Sequence, residues 1–341
     1  MKYSLIYLIT ALLFSGNPEN IYYDPNKLHH TPDGFTNPYL NINEQDKKFS
    51  DLFKMMREDR PNVSEMLDVI KVSKKDIQAH IKAKKNFYLW IGHSTALIHI
   101  NGKNILTDPI FSDRCSPIKF AGPKRYSEPA ISIEDLPMID LIVISHNHYD
   151  HLDYKTVKKI GDNALWIVPL GLKKWFFNQG VENVKEMDWY DSFNQDGIEV
   201  VSLPSQHWSK RTVFKSFDTL WSSWSIKVDD FKFWFAGDTG YNDIQFKEIG
   251  KDYGPFDLAA IPIGAYEPRW FMKNFHINPE EAVQIHQEIF SKLSVGIHFG
   301  TFILTTEPIE EPILKLQEAI NKYNLNPKEF LAIGIGEFIF L

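Results

Sequence analysis

The stretch from Asp140 to Asp153, read D-L-I-V-I-S-H-N-H-Y-D-H-L-D, constrains this chain more than any other. An apolar run ends at Ser145, and His146, His148, Asp150 and His151 then fall within six residues. A buried strand holds its own end rigidly, while the residues just beyond it can turn side chains towards one point. His146 and His148, two apart in extended chain, project to the same side. Asp150 and His151 lie just past them and can serve a neighbouring ion. Imidazole and carboxylate together suit zinc best, with iron or manganese as substitutes. The plain alternative is a hydrogen-bonded polar loop, but with 12 histidines in the chain an H-x-H-x-D-H at a strand end rarely arises by chance.

A second ion needs more donors, and three later segments supply them. His207 follows a strand expected at 198–203, Asp238 follows one at 231–236, and His298 closes one at 295–299. Alone, a buried histidine is more often a core residue, and an aspartate in Gly-Asp-Thr-Gly more often forms a turn. Their recurrence in series, each at the end of an apolar strand, reads instead as the completion of a two-ion site. Further short apolar runs predict strands at 87–92, 96–100, 104–106, 140–144, 165–168, 223–228 and 258–263. Helices are expected at 64–84, from apolar spacing, at 279–292, where Asn278, Pro279 and Glu281 form a start signal, and at 311–323. Residues 17–62 read as an extended arm around a single domain, 63–341, of two packed sheets flanked by helices.

Residues 1–16 carry one early lysine and an apolar run over 5–14. That is shorter than the roughly 20 residues a spanning helix needs, and it suits a signal peptide or membrane tether. The protein is therefore expected to be exported or membrane-associated; the alternative is a cytoplasmic protein peripheral on the membrane. The formal charge of -7 argues against a nucleic-acid partner. The single cysteine, Cys115, excludes a disulfide scaffold and a cysteine-rich zinc module.

The order H-x-H-x-D-H, His, Gly-Asp-Thr, His resembles the metallo-β-lactamase superfamily. Longer strings are more specific: Trp90-Ile-Gly-His-Ser-Thr95, Leu106-Thr-Asp-Pro-Ile-Phe-Ser112, Gln206-His-Trp-Ser209, Gly237-Asp-Thr-Gly-Tyr241, Pro262-Ile-Gly-Ala-Tyr-Glu-Pro-Arg269 and His298-Phe-Gly-Thr-Phe302. With Gly34-Phe-Thr-Asn-Pro-Tyr39 in the arm, they resemble the N-acylphosphatidylethanolamine-hydrolysing phospholipases D from about Thr31 onward. The resemblance implies an α+β fold, an αβ/βα four-layer sandwich of two mixed sheets flanked by helices. It implies two Zn2+ per chain, one on His146, His148 and His207, the other on Asp150, His151 and His298, with Asp238 bridging. It also implies a phospholipid substrate, a membrane surface as partner and a homodimer. Two dications make hydroxide available near neutral pH, and attack on phosphorus would release N-acylethanolamine and phosphatidic acid. Asp150 or Asp238 would orient the hydroxide or take its proton. A lactone, lactam or other phosphodiester is the alternative substrate for the same site; a catalytically inactive lipid- or metal-binding module is the remote one.

Other residues are read with two meanings each. His276, before the Asn278 helix start, is a candidate contact to substrate phosphate, with a structural hydrogen bond as the alternative. Arg269 would pair with phosphate or brace its loop, and Tyr241 would lie at the site or pack. His93 and Asp108 are expected to support ligands rather than bind metal. His29 and His30 are expected in solvent, and His286 at the surface or in packing. Trp208, Trp270, Phe271 and Phe275 are candidates for acyl-chain contact, with core filling as the alternative.

Overall fold

Apolar runs without polar alternation mark strands covered on both faces, and Phe87–Gly92, Thr95–Ile100, Leu165–Pro169 and Leu258–Pro262 are buried on both. The computed structural model describes residues 20–45, 51, 54–55, 57–62, 66–118, 120–212 and 215–341. The expected leader, 1–16, lies outside them. In the arm, His30–Thr31 (β1) and Gly34–Phe35 (β2) pair antiparallel. The first large sheet uses Phe87–Gly92 (β3), Thr95–Ile100 (β4), Lys103–Thr107 (β5), Leu141–Val143 (β6), Leu165–Pro169 (β7) and Val184–Met187 (β8). The second uses Ser192–Gln195 (β9), Ile198–Leu203 (β10), Ser223–Val228 (β11), Phe231–Phe235 (β12), Leu258–Pro262 (β13), Ser294–Ile297 (β14) and Phe330–Leu331 (β15). Phe338–Phe340 (β16) returns to the first sheet, giving the orders β16-β3-β4-β5-β6-β7-β8 and β15-β14-β13-β12-β11-β10-β9. Both sheets are mixed and helices flank them, the layered α+β architecture expected.

Topology puts the site at one edge. Strand β6 runs parallel to β5 and β7, and β12 runs parallel to β13 and β14 in turn. Strand β10 is antiparallel to β11, which is antiparallel to β12, so β10, β12 and β14 all point the same way. Their C-terminal ends carry His207, Asp238 and His298. The two sheets are tied beside the site: the Trp224 indole N–H donates to the Ile144 carbonyl at 3.0 Å, and Ser222 N–H donates to Ser145 O at 2.9 Å. Each link satisfies a backbone carbonyl that would otherwise be buried unpaired.

The expected helix at 64–84 is corrected to Lys74–Lys82. Over 66–72 the chain is extended, with Leu67, Ile70 and Val72 donating their N–H groups to Tyr126, Ile335 and Ala130. Helical spacing there competes with backbone partners from distant segments, and the partners win. The helix starts where Ser73 and Asp76 close a capping box, a signal that sequence does carry. The helix expected at 279–292 is Pro279–Glu288, with Asn278 and Glu281 capping each other's backbone.

His29 and His30 are also corrected. Both are buried, at 5% and 7% exposure, and both rings face Asp188. Trp189 stacks on His29 at 4.2 Å between ring centres. His286 is buried and bonded to Ser294 Oγ at 2.8 Å, the packing alternative.

Candidate metal centre

The seven residues expected as ligands meet at one point, and Asp238 is its centre. Asp238 Oδ1 lies 3.2 Å from His298 Nε2 and Oδ2 lies 3.2 Å from His151 Nε2. The same Oδ2 is 3.9 Å from His146 Nε2 and 3.8 Å from His207 Nε2. Asp150 Oδ2 sits 3.4 Å from His151 Nε2 and 3.3 Å from His298 Nε2. His146 Nε2 and His207 Nε2 both approach His148 Nδ1, at 2.8 and 3.2 Å. Two donor groups able to hold an ion result: His146, His148 and His207, and Asp150, His151 and His298 with His93 beside them.

Local backbone explains how each side chain reaches the point. Gly237 has φ +60°, and a Cβ there would lie 2.5 Å from Ser145 Cβ, so only glycine turns the chain from β12 towards Asp238. His93, Asp108 and His298 are non-glycine residues at φ +54°, +30° and +64°. Such conformations are costly and cluster where a surrounding site holds them. Past β6, Leu152 N–H returns to His148 O at 2.9 Å, folding His148, Asp150 and His151 into one turn. Asp153 then caps the helix Tyr154–Ile160.

For His146, His151 and His207 the far side of the ring shows which nitrogen faces the centre. His151 Nδ1 contacts Asp108 Oδ2 at 2.6 Å, His207 Nδ1 contacts Phe275 O at 2.9 Å, and His146 Nδ1 contacts Ser145 Oγ at 2.9 Å. A proton held at Nδ1 leaves the Nε2 lone pair pointing inward, the arrangement a metal ligand requires. Lone pairs 2.8–3.2 Å apart repel unless a cation or proton lies between them. Burial and the neighbouring histidines His151, His148 and His207 push His146 well below the usual imidazole range. Burial does the same to His207. Burial opposes charge on His298 too, but Asp238 and Asp150 outweigh it and raise it to about 9. Both carboxylates stay ionised well below their ordinary range: burial works against this, and His151 and His298 outweigh it. The donor set thus holds one buried and one half-buried carboxylate facing only imidazoles among the described residues, which fits a pair of divalent cations.

The two residues expected to support ligands both contact residues of the centre. Asp108 accepts Ser145 N–H at 2.7 Å as well as its contact with His151. His93 Nε2 contacts Asp150 Oδ2 at 3.0 Å, and burial beside His298 lowers its pKa to about 3. His276 reaches the centre, with Nδ1 3.9 Å from Asp238 Oδ2. Arg269 does not: its guanidinium grips Glu281 at 2.8 and 2.9 Å and donates to His276 O at 2.8 Å. It braces the loop that carries His276. Tyr241 also points elsewhere, donating to Glu288 Oε1 at 2.8 Å and stacking on Phe246. The helix start at Asn278 is spent on its own capping box. Residues that the sequence left unmarked line the cleft above the centre, among them Tyr149, Arg211 and Leu304. Tyr149 sits inside the ligand run and was legible by position; Arg211 carried no signal. Trp208 and Phe271 line this cleft of about 470 Å³. Phe275 is fully buried, and Trp270 is 48% exposed at the surface.

This fold and donor set define a metallo-hydrolase of the metallo-β-lactamase class. The family described as Beta-lactamase superfamily domain matches residues 103–299. The metallo hydrolase Igni18 from the archaeon Ignicoccus hospitalis matches in fold, with TM-score 0.55 and 19% identity over 75% of this chain and 98% of that one. A Caenorhabditis elegans N-acyl-phosphatidylethanolamine-hydrolyzing phospholipase D is 46% identical over 265 residues, 74% of each chain. The mitochondrial Saccharomyces cerevisiae enzyme of the same name is 37% identical over 67% of this chain and 50% of its own. The chain belongs to the N-acylphosphatidylethanolamine-hydrolysing phospholipase D family.

Proposed function

We propose that this chain is a zinc-dependent phospholipase D that cleaves N-acylphosphatidylethanolamine, or a close relative, to N-acylethanolamine and phosphatidic acid. The observation that carries it is the convergence of five imidazoles and Asp150 on Asp238, at the floor of a cleft lined by Trp208, Phe271, Met272 and Leu304. His146, His148 and His207 would hold one ion, Asp150, His151 and His298 the other, and Asp238 would bridge them. When bound, the ions supply an activated water and neutralise charge building on the phosphoryl oxygens.

The protein's own groups do the rest. Asp238 and Asp150 would orient the attacking water and take its proton. The water oxygen joins phosphorus, the bond from phosphorus to the alcohol of N-acylethanolamine breaks, and the proton passes to the departing oxygen. His276, beside Asp238, is placed to touch the phosphate. The aromatic and aliphatic walls hold acyl chain and keep water from the reacting bond. The family's substrates are bilayer lipids, so the protein is read as working at a membrane surface. Among the described residues no helix is long and apolar enough to cross a membrane.

Mass spectrometry of products tests this. Zinc-loaded protein given N-acylphosphatidylethanolamine in detergent should yield N-acylethanolamine and phosphatidic acid, and His148→Ala and Asp238→Asn should not. No turnover by protein carrying two ions would sink the lipid reading, and lactone, lactam and other phosphodiester substrates would then be tried on the same preparation.

A further inference from the structure

Arg211 places a guanidinium at the cleft over the candidate metal centre. It lines the cleft that holds His148, Asp150 and Asp238, and also an adjoining pocket of about 360 Å³. Its Nη1 donates to the carbonyl of Asn147 at 2.8 Å. Its guanidinium lies over two rings, 4.3 Å from the centre of Tyr149 and 4.8 Å from that of Trp175. Among the described residues it makes no ion pair within 4.0 Å. A guanidinium has five N–H donors, and the contact to Asn147 uses one of them. Asp153, which acts on it through space, is already filled by the N–H groups of Phe111 and Ser112 and the hydroxyls of Ser112 and Thr156.

The other arginines near the site are spent. Arg269 is closed on Glu281. Buried Arg125 donates to the carbonyls of Ser112, Ser127 and Ile110. Burial lowers Arg211 to about 10, so it remains a cation at neutral pH. Its anchor, Asn147, is the residue between His146 and His148, so the charge is fixed to the backbone that carries both. Two aromatic faces hold the side chain in place before any ligand arrives, which reduces the ordering cost of binding.

We propose that Arg211 recognises the anionic phosphate of the substrate and selects phosphodiester lipids over uncharged ones. The proposal deepens the phospholipase reading and rests on it for the identity of the anion. Calorimetry of zinc-loaded wild type, Arg211→Gln and Arg211→Lys tests it, with two soluble probes that represent the halves of the substrate. These are dihexanoyl phosphatidic acid, which carries phosphate, and N-hexanoylethanolamine, which is uncharged.

Arg211→Gln should weaken phosphatidic acid binding about 10- to 100-fold, and Arg211→Lys should restore part of it. N-hexanoylethanolamine affinity, zinc content and melting temperature should hold in both variants. Phosphatidic acid affinity within two-fold of wild type in Arg211→Gln would overturn the proposal. So would parallel loss of zinc and of both ligands, which would make Arg211 a brace for the ligand turn. Turnover separates the two readings. If no variant cleaves N-acylphosphatidylethanolamine while phosphatidic acid binding still follows the charge at 211, the lipase reading fails and the anion site stands.

Discussion

Among the described residues two buried clusters of histidine and aspartate stand apart, around Asp238 and around Asp188, and their carboxylates are met differently. In the arm, Asp188 Oδ1 pairs with His29 Nε2 at 2.8 Å and accepts Trp189 N–H at 2.8 Å. Its Oδ2 pairs with His30 Nε2 at 3.0 Å and with Lys27 Nζ. That carboxylate takes hydrogen bonds from Lys27, His29 and Trp189, and an ammonium already balances its charge. Around Asp238, two carboxylates face imidazoles, and no lysine or arginine pairs with either among the described residues. The residue types are nearly the same. The difference is whether the carboxylate's charge and lone pairs are already met, and that decides between a clasp and an ion site.

The largest effect is expected at the centre. Asp238→Asn should lower lipid turnover at least about a thousand-fold and reduce zinc below two per chain by elemental analysis; chelation should do the same to wild type. An Asp238→Asn protein with full zinc would break the contrast at once. Next comes Asp188→Ala, which leaves Lys27 without its carboxylate and should cost about 3 kcal/mol in denaturant unfolding. Its zinc content should not change, and a fall would make the arm cluster part of the metal site.

Asn37 links the two regions, since its side-chain amide donates to the His207 carbonyl at 2.8 Å. Asn37→Ala should cost about 1 kcal/mol and slow turnover a few-fold with zinc retained. A thousand-fold loss would show that the arm shares directly in the chemistry.

The smallest effect is expected on lowering pH from 8 to 5. His29 and Lys27 partner the Asp188 carboxylate and hold it below its ordinary range, against the opposing effect of burial. Asp24, His30 and Asp191 also face this cluster. A carboxylate whose folded value is depressed binds fewer protons folded than unfolded. The stability it contributes is whole above the unfolded value near 3.8 and is lost only as pH falls towards the folded value. Burial lowers His29 from its ordinary value, so as pH falls below about 6.5 the unfolded chain binds a proton there that the folded one does not, and stability is lost. Limited proteolysis of the 20–45 segment should therefore be flat from pH 8 to 7 and increase from about pH 6.5 to 5. Cleavage that stays flat down to pH 5 would mean that His29 binds its proton equally well folded and unfolded.

The same contrast explains what was readable. The ligands of the centre were legible because each follows an apolar strand, and strand ends can be found from local pattern alone. His29 and His30 were not: an exposed-looking polar arm is buried only because Asp188 and Trp189, some 160 residues on, receive it. Arg269 looked like a phosphate ligand until Glu281 closed on it, and Arg211 carried no signal until the described residues showed no acid paired with it. The stretch 66–72 has helical spacing, yet its donors bond to Tyr126, Ala130 and Ile335.

Sequence by itself determined the central strands, the residues that gather at the candidate centre and the family, because each rests on neighbours in the chain or on short contiguous motifs. Tertiary structure alone decided which charges are cancelled. That depends on distances between residues far apart in sequence, and the Coulomb and desolvation terms that separate a clasp from a metal centre follow those distances.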